Sequence, residues 1–124
     1  GELILVFGTD GDRDATKRVP LGEIAARHGD RLWVTDENPR WEDASAVRSQ
    51  VLAGIANVRP GMEGVTEVTT CRRDAIRDAI YEAKEGDVVI ISGKGAESYQ
   101  EIRGVMHDYL DAAVATEVVE AYTK

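Results

Sequence analysis

The chain has 124 residues, of which 31% are charged and 43% are hydrophobic, and its formal net charge is −8. This length predicts one domain with a modest core, and the acidity argues against a general nucleic-acid or anionic-membrane surface. The single cysteine, Cys71, excludes an internal disulfide, and no Cys and His spacing resembles a zinc site. The longest apolar run, 88–91, is far shorter than the ~20 residues that span a bilayer. The first residues lack the order of a secretion signal, so we expect a protein of the reducing cytoplasm.

The first predicted element is a buried strand, 3–7 (LILVF), which lies so close to the start that we expect a piece of a longer protein. A glycine- and acid-rich turn follows, 8–14 (GTDGDRD), and leads toward Lys17 and Arg18. A strand, a glycine turn and a helix can together bring backbone N–H groups to an anion. The turn matches neither the phosphate loop nor the dinucleotide fingerprint, which disfavours a dinucleotide-binding dehydrogenase.

Apolar residues at helical spacing then predict a helix that Gly29 terminates in the left-handed conformation. A second strand, 31–35, follows, and a second helix covers about 42–56, opened by the acids Glu42 and Asp43. The core positions expected for the two helices are Leu21, Ile24, Ala25, His28, Val47, Val51, Leu52 and Ile55.

The polar loop 35–40 (TDENPR) separates the second strand from the second helix. It lies just beyond the carboxyl end of a strand, where open parallel sheets bind ligands. Pro39 restricts its own backbone and that of Asn38, so Asn38 and Arg40 should be held rigidly. A carboxylate, an amide and a guanidinium in one rigid loop suit a zwitterion. Asn-Pro is also an ordinary turn signal, so a plain polar turn stays open.

The remaining chain continues the alternation of strands and helices. An edge strand, 65–69, precedes a helix closed by Gly86, and a fully buried strand, 87–92, follows. Gly93 and Gly95 permit close backbone approach to a ligand, although a tight strand-to-helix turn is an equal alternative. The lysine between them is not a phosphate-loop lysine, because no Ser or Thr follows it. The final predicted helix carries Leu110, Val114, Val118 and Tyr122 on its apolar face.

This order of elements predicts an α/β fold, a Rossmann-like three-layer domain whose mostly parallel sheet has helices on both faces. The carboxyl ends of parallel strands meet at one edge of a sheet. The loops after strands one, two and four should therefore lie together.

The three loops resemble the C-terminal, glutamate-ligase domain of the Mur ligases, specifically the MurE type, which makes UDP-N-acetylmuramoyl-tripeptide. The resemblance covers nearly the whole chain. It is carried by residues 7–8, 11–14, 17–18, 35–40, 86–89, 93–97 and 99–100.

The resemblance implies that residues 1–124 form the single C-terminal domain of an ATP-dependent ligase of peptidoglycan synthesis. Such a ligase adds a diamino acid (meso-diaminopimelate, or L-lysine or L-ornithine) to UDP-N-acetylmuramoyl-L-alanyl-D-glutamate. In that family the central domain binds ATP and Mg²⁺ and forms an acyl phosphate, which the amine of the incoming amino acid attacks. The C-terminal domain binds that amino acid and closes over the centre, so the isolated domain should be inactive and should hold no cofactor.

By motif position, the residues that contact the diamino acid in the family correspond here to Arg13, Glu37, Asn38, Arg40, Gly93 and Glu97. A second set, which faces the nucleotide after closure, corresponds to Asp12, Lys17 and Arg18.

Four departures from the family pattern leave the third amino acid open. Glu37 stands where Asp is usual, Ala96 where His is usual, Asp10 where Gly is usual, and 112–113 (AA) where an Arg-Glu pair is common. Arg40 favours diaminopimelate, because lysine or ornithine would leave its guanidinium without a second carboxylate. The alternative function is a non-catalytic Rossmann-like module that derives from such a ligase and binds a ligand or a partner.

Overall fold

The structure, a computed structural model, describes residues 1–94 and 97–123, the last of these by its backbone alone. The predictions for Gly95 and Ala96 lie outside the described residues. In chain order the elements are β1 (Leu3–Phe7), a 3-10 helix (Ala15–Lys17), α1 (Arg18–His28), β2 (Arg31–Val34), α2 (Ala44–Val58), β3 (Val65–Glu67), α3 (Arg72–Glu82), β4 (Val88–Ile91), β5 (Tyr99–Ile102), β6 (Val105–Asp108) and α4 (Asp111–Thr123).

The central sheet is parallel, with the strand order β3-β2-β1-β4, and β5 and β6 form a separate antiparallel hairpin. Alternate side chains of β1 enter two cores: Ile4 and Val6 pack with α3 and α4, whereas Phe7 packs with α1 and α2. The predicted Rossmann-like three-layer α/β fold is therefore confirmed. The sequence did not predict the hairpin.

Helix α1 lies closely against α2, and this contact corrects the predicted core of α1. A Cβ on Gly22 would collide with the backbone oxygen of Val51, so the two helices meet through small side chains. Ile24 is consequently 53% exposed, and His28 is exposed as well. Gly29 ends α1 in an extended conformation (φ −86°, ψ 146°), so the predicted left-handed ending was wrong.

Strand β4 is an edge strand, and the prediction of a fully buried strand was wrong. Val89 and Ile91 pack against the core beneath α3 and α4. On the opposite face Val88 is 56% exposed and Ile90 is 44% exposed. The reason is positional: α1 and α2 cover the β1 and β2 part of that face, and β4 lies at the end of the strand order. A run of apolar residues alone could not distinguish these two cases.

A buried ion pair connects α3 to α4 and to the ends of two strands. Arg72 Nη2 lies 2.8 Å from Asp111 Oδ2, and the exposed fractions of the two side chains are 0% and 8%. Arg72 also donates hydrogen bonds of 3.0 Å to the backbone oxygens of Asp36 and Ser92. Burial acts to raise the pKa of Asp111, but the hydrogen bonds and charge of Arg72 outweigh burial and leave that pKa below its ordinary value. Arg72 thus stabilises the loops that follow β2 and β4.

We predict that Asp111→Ala lowers the free energy of unfolding by about 3–5 kcal/mol, because it leaves the Arg72 charge buried without its partner. The matched control is Glu117→Ala, which removes the exposed partner of Arg73 from the same helix pair and should cost less than about 1 kcal/mol. Urea unfolding of the 124-residue chain measures both values. Because the folded-state pKa of Asp111 is lowered, its contribution is present at neutral pH and is lost as the pH falls below about 4. Equal costs for the two variants would contradict the prediction.

Candidate functional site

Three loops meet at the carboxyl edge of the sheet, as the sequence predicted. Gly11 N, in the loop after β1, donates a 2.8 Å hydrogen bond to the backbone oxygen of Asn38, in the loop after β2. Asn38 N donates in turn to Asp10 Oδ1 at 3.2 Å, and Asn38 Nδ2 donates to Glu97 Oε1 at 3.2 Å. Asn38 therefore connects the loops after β1, β2 and β4 through one residue.

The side chain at the centre of this junction is Lys94, which is only 3% exposed. Its Nζ donates to Asn38 Oδ1 at 2.9 Å and to Glu97 Oε1 at 3.2 Å. The same ammonium lies 5.4 Å from the ring centroid of Tyr99 and 6.0 Å from that of Tyr109, within the range of cation–π attraction. A buried cation with these partners fixes the orientations of the Asn38 amide and the Glu97 carboxylate.

Asn38 itself is 0% exposed. Its Oδ1 accepts a second hydrogen bond, of 2.9 Å, from the backbone N–H of Glu101. In this arrangement Asn38 supports the neighbouring carboxylate, and its role as a direct ligand contact stays a prediction.

Two carboxylates flank the Lys94 junction, and they differ in environment. Glu97 uses Oε1 for the hydrogen bonds to Asn38 and Lys94, and its side chain is 37% exposed. Burial, followed by the charge of Asp10, raises the pKa of Glu37 to about 7, while Arg72 and Lys94 act in the opposite direction. The carboxyl group of Glu37 therefore changes charge near neutral pH. The carboxylates of Glu37 and Glu97 are both suited to bind a cation.

Gly93 lies against the side chain of Glu37, and its predicted close approach to a ligand stays a prediction. Its φ is +115°, a conformation that side chains rarely tolerate. A Cβ at this position would lie 2.8 Å from Cδ and Oε1 of Glu37. The backbone conformation therefore favours glycine, and a side chain at this position would also force the Glu37 carboxyl group to move.

Arg40 is held between the loop and the hairpin. The backbone N–H of Arg40 donates to the backbone oxygen of Glu101 at 3.0 Å, and the backbone oxygen of Arg40 accepts a 2.6 Å hydrogen bond from the N–H of Arg103. The guanidinium is 13% exposed, and its Nη1 donates to the backbone oxygen of Gly11 at 3.0 Å. Asp10 Oδ2 lies 3.5 Å from Nη1, and Glu101 Oε1 lies 3.3 Å from Nε. The hairpin that the sequence did not predict therefore fixes the position of a predicted site residue.

Asp12, Lys17 and Arg18, which were predicted to face the nucleotide, lie in three different environments. Arg18 is 1% exposed and donates to both carboxylate oxygens of Glu42, at 2.7 and 3.0 Å, to Gln50 and to the backbone oxygen of Asp10. The hydrogen bonds of Arg18 lower the pKa of Glu42 to about 2. Asp12 Oδ2 accepts from the backbone N–H of Trp41 at 3.0 Å.

Lys17 borders a pocket of about 440 Å³ beside α1, which is otherwise lined largely by apolar side chains. Arg13 is exposed on the loop after β1 and makes no hydrogen bond or ion pair with the described part of the chain. The contact of these residues with a nucleotide or an amino acid stays a prediction.

Sequence reasoning assigned no role to Lys94, Glu101 or Gln100. Gln100 donates a 2.8 Å hydrogen bond to the backbone oxygen of Glu37 and so supports the loop after β2. One signal was available for Lys94: Glu97 follows it by three residues, a spacing at which a lysine and an acid can pair. No sequence signal indicated a role for Glu101, because its contact with Arg40 depends on the hairpin of β5 and β6, far from Arg40 along the chain.

Comparisons with known proteins show clear similarities. Residues 1–95 match the model of the family described as "Mur ligase, glutamate ligase domain". A Syntrophomonas wolfei protein named UDP-N-acetylmuramoyl-L-alanyl-D-glutamate--2,6-diaminopimelate ligase is 43% identical over 98% of this chain and 24% of its own length. A Leifsonia xyli UDP-N-acetylmuramyl-tripeptide synthetase is 47% identical over 84% of this chain and 20% of its length. A solved structure of a UDP-N-acetylmuramoyl-L-alanyl-D-glutamate--2,6-diaminopimelate ligase superposes with a TM-score of 0.84 and 34% identity, over 100% of this chain and 25% of that one.

We predict that Gly93→Ala destabilises the chain more than Gly86→Ala does. Both glycines have positive φ, so each alanine should cost about 1–2 kcal/mol for the backbone. Only Gly93→Ala also forces the Glu37 carboxyl group to move, which should add about 0.5–1.5 kcal/mol for the displaced side chain, since a Cβ on Gly86 has its nearest neighbour 3.8 Å away. Urea unfolding measures the difference, and adding Glu37→Ala should remove most of the excess. Equal losses in the two single variants would contradict the proposed contact.

Proposed function

The chain belongs to the Mur ligase glutamate ligase domain family, and on this premise we propose that it binds the incoming amino acid of an ATP-dependent, amide-bond-forming ligase. The chain spans about a quarter of the length of the relatives that it matches, with 24% in the Syntrophomonas wolfei protein. The reaction itself therefore belongs to a longer protein. The observation that carries the proposal is the meeting of three loops that bring Arg40, Glu37, Gly93 and Glu97 to one edge of the sheet.

The groups at this edge match the charges of a diamino acid. A guanidinium such as that of Arg40 can hold a carboxylate through two parallel hydrogen bonds. The carboxylates of Glu97 and Glu37 can pair with ammonium groups, because Glu97 is partly exposed and Glu37 forms no ion pair with the described residues. These contacts would orient the attacking amine, and orientation of this kind can supply several kcal/mol of the barrier.

We propose meso-diaminopimelate as the amino acid in preference to L-lysine or L-ornithine. Diaminopimelate carries two carboxylates and two ammonium groups, so Arg40 gains a partner that the two shorter substrates lack. The names of the Syntrophomonas wolfei relative and of the solved neighbour, both 2,6-diaminopimelate ligases, agree with this choice.

The remaining reactants are proposed to bind elsewhere in the longer protein. These are ATP, Mg²⁺ and the acceptor UDP-N-acetylmuramoyl-L-alanyl-D-glutamate, and we propose that the reaction takes place in the cytoplasm. Within residues 1–94 and 97–123, no group of three or more His, Cys, Asp and Glu side chains is arranged to hold a metal ion. In the same ranges, no helix is both long enough and apolar enough to cross a bilayer.

The test of this function is turnover by the full-length protein that carries this chain. ADP release should require the muramoyl dipeptide and should be supported by diaminopimelate better than by lysine or ornithine. Arg40→Ala should weaken recognition of diaminopimelate by about 2–5 kcal/mol, since it removes one member of a buried charge pair. The control is Arg27→Ala, which removes an exposed arginine from the last turn of α1, at the opposite edge of the sheet.

No turnover with any diamino acid would contradict the ligase assignment. Binding of an amino acid without turnover would instead support the alternative, a non-catalytic module derived from such a ligase. Unchanged diaminopimelate affinity in Arg40→Ala would remove Arg40 from the site.

We further predict that amino-acid binding strengthens as the pH rises through about 7. The pKa of Glu37 is raised to about 7, so its carboxyl group is protonated below that pH and carries the charge that an ammonium needs above it. The affinity should change by at most about tenfold per pH unit, which corresponds to one proton. Glu37→Gln should flatten the profile between pH 6 and 8, whereas Asp78→Asn, on α3 with a partly exposed side chain paired with Arg77, should leave it unchanged. An identical profile in Glu37→Gln would contradict the assignment of this titration.

A further inference from the structure

The guanidinium of Arg40 already has two carboxylates of its own chain beside it. Asp10 Oδ2 lies 3.5 Å from Nη1, and Glu101 Oε1 lies 3.3 Å from Nε. The two acids approach different sides of the guanidinium. Glu101 is on the Nε side, whereas Asp10 is at Nη1, one of the two terminal nitrogens that together can hold a carboxylate bidentately.

We propose that Asp10 is a specificity-determining residue that competes with the second carboxylate of the amino acid for Arg40. This inference rests on the proposed function. Binding of a dicarboxylate amino acid must displace Asp10 from Nη1 or share that nitrogen with it, whereas binding of a monocarboxylate such as lysine leaves the pair intact. Asp10 therefore lowers the advantage of diaminopimelate over lysine.

The position of Asp10 makes the competition effective and reversible. Its Oδ1 accepts the backbone N–H of Asn38 at 3.2 Å, which holds the carboxylate beside Arg40. The pair is only partly buried, with 13% of the Arg40 side chain and 29% of the Asp10 side chain exposed. Exchange of one carboxylate for another at such a pair involves a small free energy, because both states keep the charge of Arg40 matched.

The test measures KM and kcat of the full-length protein with diaminopimelate and with lysine, in the wild type and in Asp10→Asn. Asparagine keeps an oxygen that can accept from Asn38 N and removes only the charge. The assays are run at pH 8.5, because Asp10 also contributes to the raised pKa of Glu37 and that carboxyl group must be ionised in both proteins. We expect KM for diaminopimelate to fall about 3- to 10-fold, the size of a partly exposed ion pair, with kcat unchanged and KM for lysine changed less than twofold.

The matched control is Asp14→Asn, which removes the same charge from the same loop. Asp14 accepts hydrogen bonds from Thr16 and makes no contact with Arg40, so both KM values should stay as in the wild type. Asp10→Ser, which also retains an acceptor, is the second variant if Asp10→Asn does not fold.

Three results would overturn the inference. These are an unchanged or raised KM for diaminopimelate, an equal change for both amino acids, or the same change in Asp14→Asn. The same assay separates failure of the inference from failure of the proposed function. A wild-type protein that turns over neither amino acid refutes the proposed function, and the inference with it. A wild-type protein that turns over diaminopimelate but whose selectivity Asp10→Asn does not alter refutes the inference alone.

Discussion

The candidate site depends on one buried charge, the ammonium of Lys94. It is held by Asn38 and Glu97 and lies near two tyrosine rings, so it joins the loop after β4 to the loop after β2. A buried ammonium is costly unless it is paired and hydrogen-bonded, and this requirement specifies where its partners must lie. Arg72 has the same effect nearby, because it donates to the ends of the loops that follow β2 and β4 and pairs with Asp111. Two buried cations thus hold the carboxyl edge of the sheet in one arrangement.

The order of strands and helices could be predicted because it follows from local patterns. The apolar run 3–7 and the helical spacing of Val47, Val51 and Ile55 encode buried faces directly, and these residues are buried or partly buried. What local patterns do not encode is which neighbour covers each face. The sequence predicts Val88 and Ile90 as core residues, but β4 lies at the edge of the sheet and both are exposed. Similarly, α1 contacts α2 through Gly22 rather than through a stripe of large side chains.

In the candidate site, too, the sequence predicted features that depend on local pattern and missed those that depend on distant contacts. The loop 35–40 and Gly93 could be assigned from their place after strands and from family motifs, and the structure brings them together. The partners of Arg40 could not be assigned, because Glu101 reaches it through a hairpin and Asp10 through a loop after a different strand. In the sequence, Asp10 is a negative charge at a position where the family usually has glycine. In the structure it pairs with the guanidinium of Arg40, the group proposed to recognise the ligand. Ion pairs between distant loops have no periodic signature, so only coordinates reveal them.

The most direct measurement of the role of Lys94 is the diaminopimelate dissociation constant of the full-length protein carrying Lys94→Met, obtained by calorimetry. Methionine keeps most of the side-chain volume and removes the charge that orients Asn38 and Glu97. Loss of charged hydrogen bonds worth about 1.5–3 kcal/mol predicts an affinity about 10- to 100-fold weaker. Lys84→Met, at an exposed lysine before β4, should bind as the wild type does. Wild-type affinity in Lys94→Met, with the protein folded, would contradict the central place of this buried ammonium.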